Sequence, residues 1–137
     1  MARDKYHYLV KKALAAEGWT VTDDPFIVDA LVRNLEIDLG AERLLAAQKG
    51  KEKIAIEIKT FSGISQLHDY YKALGQFNYY SVALRKQEPD RVLYLAVPDG
   101  TYKSFFKEPI TAETIQLFNV KIIVYSIQNQ KITQWIK

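Results

Sequence analysis

The stretch KIAIEIKTF, from Lys53 to Phe61, sets Ile54, Ile56 and Ile58 in alternation with Ala55, Glu57 and Lys59. A two-residue period is the signature of a β-strand, whose successive side chains point to opposite faces. The isoleucines are expected to face a core, and Glu57 and Lys59 to share the other, polar face. A carboxylate and an ammonium two residues apart at the end of an apolar strand are also the first sign of chemistry in the chain.

Upstream, Leu35, Ile37 and Leu39 alternate with Asn34, Glu36 and Asp38, and a second extended run from Glu42 to Gln48 leads into Lys49-Gly50-Lys51, which reads as a hairpin turn. Phe26 to Asn34 fits a helical turn and an extended segment equally. Trp19 to Val21 reads as a short strand cut off by Asp23-Asp24-Pro25. From Asp4 to Glu17, Tyr6, Leu9, Val10, Ala13 and Leu14 recur at helical spacing, and Gly18 is placed to end that helix.

Downstream, Ser65 is placed to cap a long helix reaching Arg85, with Leu67, Tyr71, Leu74 and Phe77 as its buried stripe. Val92 to Val97 is almost wholly apolar, as a central strand covered on both faces would be, and Pro98-Asp99-Gly100 ends it. A short helix near Thr111 to Phe118 follows, then strands Val120 to Ile127 and Ile132 to Ile136 joined around Gln128-Asn129-Gln130. This order predicts an α/β fold, a central mixed β-sheet flanked by helices, as a single domain over residues 1–137.

Composition narrows the functional classes. With no cysteine, disulfide frameworks and thiolate metal sites are excluded. The N-terminal stretch mixes charges into its apolar positions, and no later run reaches the length of a membrane span, so a cytoplasmic protein with no membrane partner is expected. The formal charge of +3 favours a polyanionic partner only slightly. His7 and His68 lie on different helices, which does not suggest a histidine-based hydrolase, and no Gly-rich phosphate loop or nucleophile elbow is present.

The constellation that stands out is Asp38 followed by Glu57-Ile58-Lys59. Two carboxylates converging on one sheet edge can hold Mg²⁺ (or Mn²⁺), a hard cation that prefers oxygen ligands and keeps waters for a phosphate to replace. Lys59 could orient an attacking water or neutralise charge on a scissile phosphate. Phosphodiester hydrolysis is the reaction these parts fit. Glu-x-Lys alone is equally what a solvated strand face carries. The strand, however, runs into a Ser/Gly loop and a long helix carrying Gln76 and Tyr80 on one face, while Glu17 at the end of the first helix could also point toward the site. The aromatics Tyr70, Tyr71, Tyr79 and Tyr80 suit either core packing or base stacking.

Asp38, the hairpin, Glu57-x-Lys59 and Gln76-Phe77-Asn78-Tyr79-Tyr80 together resemble the PD-(D/E)xK nuclease superfamily, including the helical QxxxY motif of some of its branches. More closely, IDLGAERLLAAQKG, KIAIEIKTF, ALGQFNYY and DRVLYLAVP resemble the XisH family of fdxN-element excision controlling factors of cyanobacteria, across nearly the whole chain. The resemblance implies a restriction-endonuclease-like fold. It also implies a role in programmed DNA excision alongside a site-specific recombinase, with DNA and a protein called XisI as partners. Catalytic roles for Asp38, Glu57, Lys59 and Gln76 follow from it, with Tyr80 supporting. A non-catalytic factor that directs the recombinase is the alternative it leaves open, and so is one half of a two-component module. Duplex cleavage needs two sites, so a homodimer is one expected arrangement.

One departure bears on the metal site. Ile37 stands where the superfamily motif has proline, a tolerated change. The hairpin register matters more. If the turn centres on Gly50 and Lys51, Lys59 pairs with Glu42, and Asp38 lies four residues beyond. Glu42 is then a rival or additional ligand, unless a bend at Gly40 swings Asp38 back toward Lys59.

Overall fold

The computed structural model describes residues 2–45 and 50–137. In chain order its elements are α1 (Ala2–Ala16), β1 (Thr20–Asp23), β2 (Phe26–Asp29), β3 (Asn34–Ile37), β4 (Leu39–Leu45), β5 (Gly50–Ile58), α2 (Gln66–Gln87) and β6 (Arg91–Pro98). Then come α3 (Asp99–Lys103), a 3-10 turn (Phe105–Lys107), α4 (Pro109–Leu117), β7 (Ile122–Ser126) and β8 (Lys131–Ile136). Six strands form one mixed sheet in the order β1-β4-β5-β6-β7-β8, and β2 and β3 form a separate antiparallel pair. Only β5/β6 and β6/β7 are parallel. The long helix α2 is the crossover between the first of these pairs, as parallel neighbours require.

The isoleucine strand behaves as its period dictates. Ile54 and Ile56 are fully buried against Leu9, Val10, Ala13 and Leu14 of α1, together with Trp19. The opposite face is not solvated. Ala55 sits in a second core with Tyr70, Ala73 and Phe77 of α2, and Glu57 is only 7% exposed. The expectation of a polar outer face at Glu57 is therefore corrected: a strand between two others, in a sheet with helices on both sides, has no outer face. Each large apolar side chain buried in these two layers contributes on the order of 1.5–3 kcal/mol.

The stripe expected on α2 is also corrected. Phe77 is buried and Leu74 partly so, but Leu67 and Tyr71 are exposed, and the face against the sheet is Tyr70, Ala73, Phe77 and Leu84. Ser65 does cap the helix, its hydroxyl accepting from the His68 N–H at 3.2 Å. The open segment after Pro25 becomes strand β2. Its end is tied to α2 by Gln87, whose Oε1 accepts from the Asp29 N–H at 2.8 Å and whose Nε2 donates to the Ile27 carbonyl at 3.2 Å.

The run Leu35, Ile37, Leu39 is not one strand. The chain leaves β3 and enters β4 through a bend at Asp38, so that Ile37 is buried in the α2-side core and Leu39 in the α1-side core. The bend lies at Asp38 and not at Gly40. Gly40 answers a different demand, since a Cβ there would lie 2.6 Å from the Phe26 ring.

Register is the largest correction. Leu39 pairs with Ile56, Ala41 with Ile54 and Glu42 with Lys53, and Gly50 and Lys51 lie inside β5 instead of in a turn. Residues 46–49, which include Lys49 and the end of the expected Glu42–Gln48 run, lie outside the described residues. Arg91, buried at the start of β6, locks this register. Its guanidinium donates to the Ile54 carbonyl at 2.9 Å, meets Glu88 at 3.1 Å and Glu42 at 3.4 Å, and lies over the Phe26 ring. A buried cation satisfied on so many sides holds β4, β5 and β6 in one alignment. No helix among the described residues is long and apolar enough to cross a membrane.

Candidate active site

The observed register sets Asp38 directly across from Glu57. The two are interlaced: the Ile58 N–H donates to Asp38 Oδ2 at 2.8 Å, and the Asp38 N–H reaches Glu57 Oε1 at 3.4 Å. Because β4 begins one residue after Asp38, the carboxylate takes the hydrogen bond that a strand neighbour would otherwise supply. Lys59, just past β5, places its ammonium 3.2 Å from Glu57 Oε2. Its backbone is held from both sides. The Lys59 N–H donates to the Ala96 carbonyl at 2.9 Å, and the buried Tyr125 hydroxyl donates to the Lys59 carbonyl at 3.0 Å. The three residues open on a cleft of about 460 Å³ whose wall also includes Glu36, Thr60 and Ser62.

Two carboxylates side by side, one of them buried, create an electrostatic conflict. Burial, reinforced by the Asp38 charge and only partly opposed by the Lys59 ammonium, pushes the Glu57 carboxyl up to about 7 from an ordinary 4.5. Tyr80 is pushed up too, by burial first and then by the charges of Glu57 and Asp38. The donor set suits a small hard cation. Two carboxylates are what Mg²⁺ typically takes from a protein when substrate and water complete its shell. Among the described residues, no group of three or more His, Cys, Asp or Glu side chains converges on one point.

A pH dependence follows. The folded chain holds a proton on Glu57 that the unfolded chain gives up, so the stability belonging to this group is complete below pH 4.5 and is lost as pH rises toward about 7. The loss approaches about 3 kcal/mol at its largest. Urea unfolding in chelator at pH 5.5 and 7.5, a window that spans only part of that range, should show the wild type losing about 2 kcal/mol of stability relative to Glu57→Gln. Parallel behaviour of the two proteins would contradict the buried, like-charged setting.

The remaining sequence-derived candidates separate clearly. Gln76 lies one turn before Tyr80 on α2, and its Oε1 is buried without a hydrogen-bond partner among the described residues. A buried amide oxygen with no donor from the protein is ordinarily met by a water or a ligand group. Glu42 is not beside Lys59. It pairs with Lys51 at 3.2 Å and with Arg91, and its carboxyl is held below the ordinary range by the Lys51 hydrogen bond first of all. Glu17 is on the other side of the sheet, where its carboxylate accepts from the Trp135 Nε1–H at 3.0 Å. Glu36 is the residue the sequence reading missed. It is exposed on β3, two residues before the bend at Asp38, and joins the cleft because that bend turns Asp38 toward β5.

Comparison with known proteins places this geometry in a lineage. The XisH protein family model matches residues 1–133. The crystal structure of an XisH family protein from Nostoc punctiforme PCC 73102 is 41% identical, with a TM-score of 0.88 over 97% of this chain and 99% of that one. The structure of an fdxN element excision controlling factor protein from Anabaena variabilis is 45% identical, with a TM-score of 0.89 over 98% of this chain and 99% of that one. No curated protein matches the chain. A family match over nearly the full length, with two close structural relatives, is decisive: the chain belongs to the XisH family.

Proposed function

We propose that this protein is a DNA-processing factor of restriction-endonuclease-like fold and PD-(D/E)xK type, acting in programmed DNA excision through Mg²⁺-dependent phosphodiester hydrolysis. The observation that carries the reading is the pairing of Asp38 with Glu57 and of Glu57 with Lys59 in one open cleft. Asp38 and Glu57 would hold the cation, which supplies Lewis-acid polarisation of the scissile phosphate. Lys59, at 3.2 Å from Glu57 and partly exposed, is placed to bind a phosphate oxygen and offset the charge that develops on it. Gln76 offers its buried Oε1 as an acceptor that can orient a water, and Tyr80 supports the carboxylates from the same helix face.

The name of the Anabaena variabilis relative, an excision controlling factor, favours a second reading in which the same cleft binds DNA without cutting it and directs a recombinase. Incubating the purified protein with single-stranded, duplex and branched DNA, with Mg²⁺, with Mn²⁺ and with chelator, separates the two. Cleavage that needs the metal supports the enzyme. Binding without cleavage under every condition supports the accessory factor. In either case binding should weaken steeply with salt and show little sequence preference, since a net charge of +3 leaves phosphate contacts as the main attraction. Binding that ignores ionic strength would contradict both.

A further inference from the structure

The loop between β5 and α2 carries an apolar side chain where nothing in the fold asks for one. Ile64 is fully exposed, while the residues around it are firmly held. Phe61, at its base, is in the left-handed region (φ 54°), a conformation kept because its ring is buried against Phe105 and Phe106. Gly63 donates its N–H to Asp69 Oδ2 at 3.0 Å, and a Cβ on Gly63 would lie 2.7 Å from that carboxylate. Ser65 then caps α2. Ile64 is thus thrust outward between two anchored points.

On the first two turns of α2, Leu67 is 45% exposed and Tyr71 59%, and the Tyr71 ring lies beside that of His68 with centroids 5.7 Å apart. Gly63, Asp69 and Lys72, the chain neighbours of Ile64, His68 and Tyr71, wall a hollow of about 200 Å³ together with Lys59, Thr60 and Ser62. Lys59, Thr60 and Ser62 wall the cleft at Asp38 and Glu57 as well, so the hollow and the cleft are neighbours.

We propose that the Ile64 tip and the His68–Tyr71 pair form a subsite for an unpaired or unstacked base of the DNA strand whose phosphate occupies the Lys59 cleft. The inference rests on the DNA-processing reading above and adds the structure of the substrate. An apolar side chain on a rigid tip is the device by which proteins wedge open a base step, and an exposed aromatic is the surface on which a freed base stacks. The charges fit the same occupant. Lys59 and Lys72 flank the path that the backbone would follow and together outweigh the single charge of Asp69, which accepts from the Gly63 N–H; the Thr60 and Ser62 hydroxyls, bonded to each other at 2.8 Å, leave one O–H to donate to phosphate. The large apolar side chains exposed here are only Ile64, Leu67 and Tyr71, and the roughly 800 Å² that each side of a standard protein interface buries would have to come mostly from the polar and charged surface around them.

The test is binding of the full chain, with Ca²⁺ replacing Mg²⁺, to a short labelled duplex and to the same duplex carrying one unpaired adenine. The wild type should prefer the unpaired form by about tenfold, and Ile64→Ser and Tyr71→Ala should each remove most of that preference. Duplex affinity should change less than about twofold in either variant, because phosphate contacts dominate it. Melting temperatures should stay at the wild-type value, since both side chains are exposed. Variants that keep the preference would overturn the subsite and leave the DNA reading standing, and so would equal losses on both DNAs. A wild type that binds neither DNA would defeat the DNA reading itself. Self-association lost in Ile64→Ser would assign the patch to a second copy of the chain and overturn the proposal.

Discussion

Glu57→Gln should abolish metal-dependent cleavage, by about a thousandfold or more, and at the same time make the metal-free protein more stable at neutral pH. The glutamine keeps the shape of the side chain, and its one oxygen can accept from either the Asp38 N–H or the partly exposed Lys59 ammonium, which can turn to solvent. What it removes is a buried negative charge next to another one. An ordinary core glutamate held in a favourable ion pair would show the opposite, a loss of stability on neutralisation. Activity lost and stability gained in one variant is the mark of a group retained for chemistry. Cleavage at the wild-type rate by Glu57→Gln would remove the enzymatic assignment.

Ile56→Asp should leave no folded protein. Ile56 is fully buried on the α1 side of the central strand, paired with Leu39 on one side and Tyr94 on the other. An aspartate there finds no cation and no solvent, and the penalty is comparable to the roughly 5–15 kcal/mol of a whole domain. Ile56→Val, which removes one methyl group, should cost only about 1 kcal/mol and serves as the control. Chemical denaturation followed by circular dichroism distinguishes them. A cooperative transition for Ile56→Asp near that of the wild type would show that Ile56 does not lie in the buried α1-side core.

Which parts of this were legible in the sequence depends on which physical signal each part leaves. The strand at Lys53–Lys59, the Ser65 cap and the stripe of α1 were readable because periodicity and capping are local. Register was not, since the Lys49-Gly50-Lys51 reading let turn chemistry decide what the burial of Leu39 and Ala41 beside Ile56 and Ile54 decides instead. The stripe of α2 misled because Leu67 and Tyr71 have helical spacing as good as that of Tyr70, Ala73 and Phe77, and an alanine announces burial weakly. The burial of Glu57 was invisible for a related reason. It follows from α2 crossing the sheet, which no residue near Glu57 reveals. The motif singled out Asp38, and the assumed turn set Glu42 opposite Lys59 with Asp38 four residues beyond, whereas the folded register puts Asp38 beside Glu57 and Glu42 opposite Lys53. The real partners of Glu42, Lys51 and Arg91, come from elements whose alignment only the folded sheet supplies.

A cleft that works as proposed requires Asp38 and Glu57 to bind a divalent cation together. Titration of Mn²⁺ into the wild type, Asp38→Asn, Glu57→Gln and Glu42→Gln, read by calorimetry or water-proton relaxation, measures this without reference to any nucleic acid. The expected result is binding by the wild type and by Glu42→Gln, and loss of most of the affinity in Asp38→Asn and Glu57→Gln, well beyond the ~10–100-fold that losing a supporting group costs. If Asp38→Asn keeps the ion and Glu42→Gln loses it, the site is not the one formed across β4 and β5 at Asp38, and the proposal built on it is wrong.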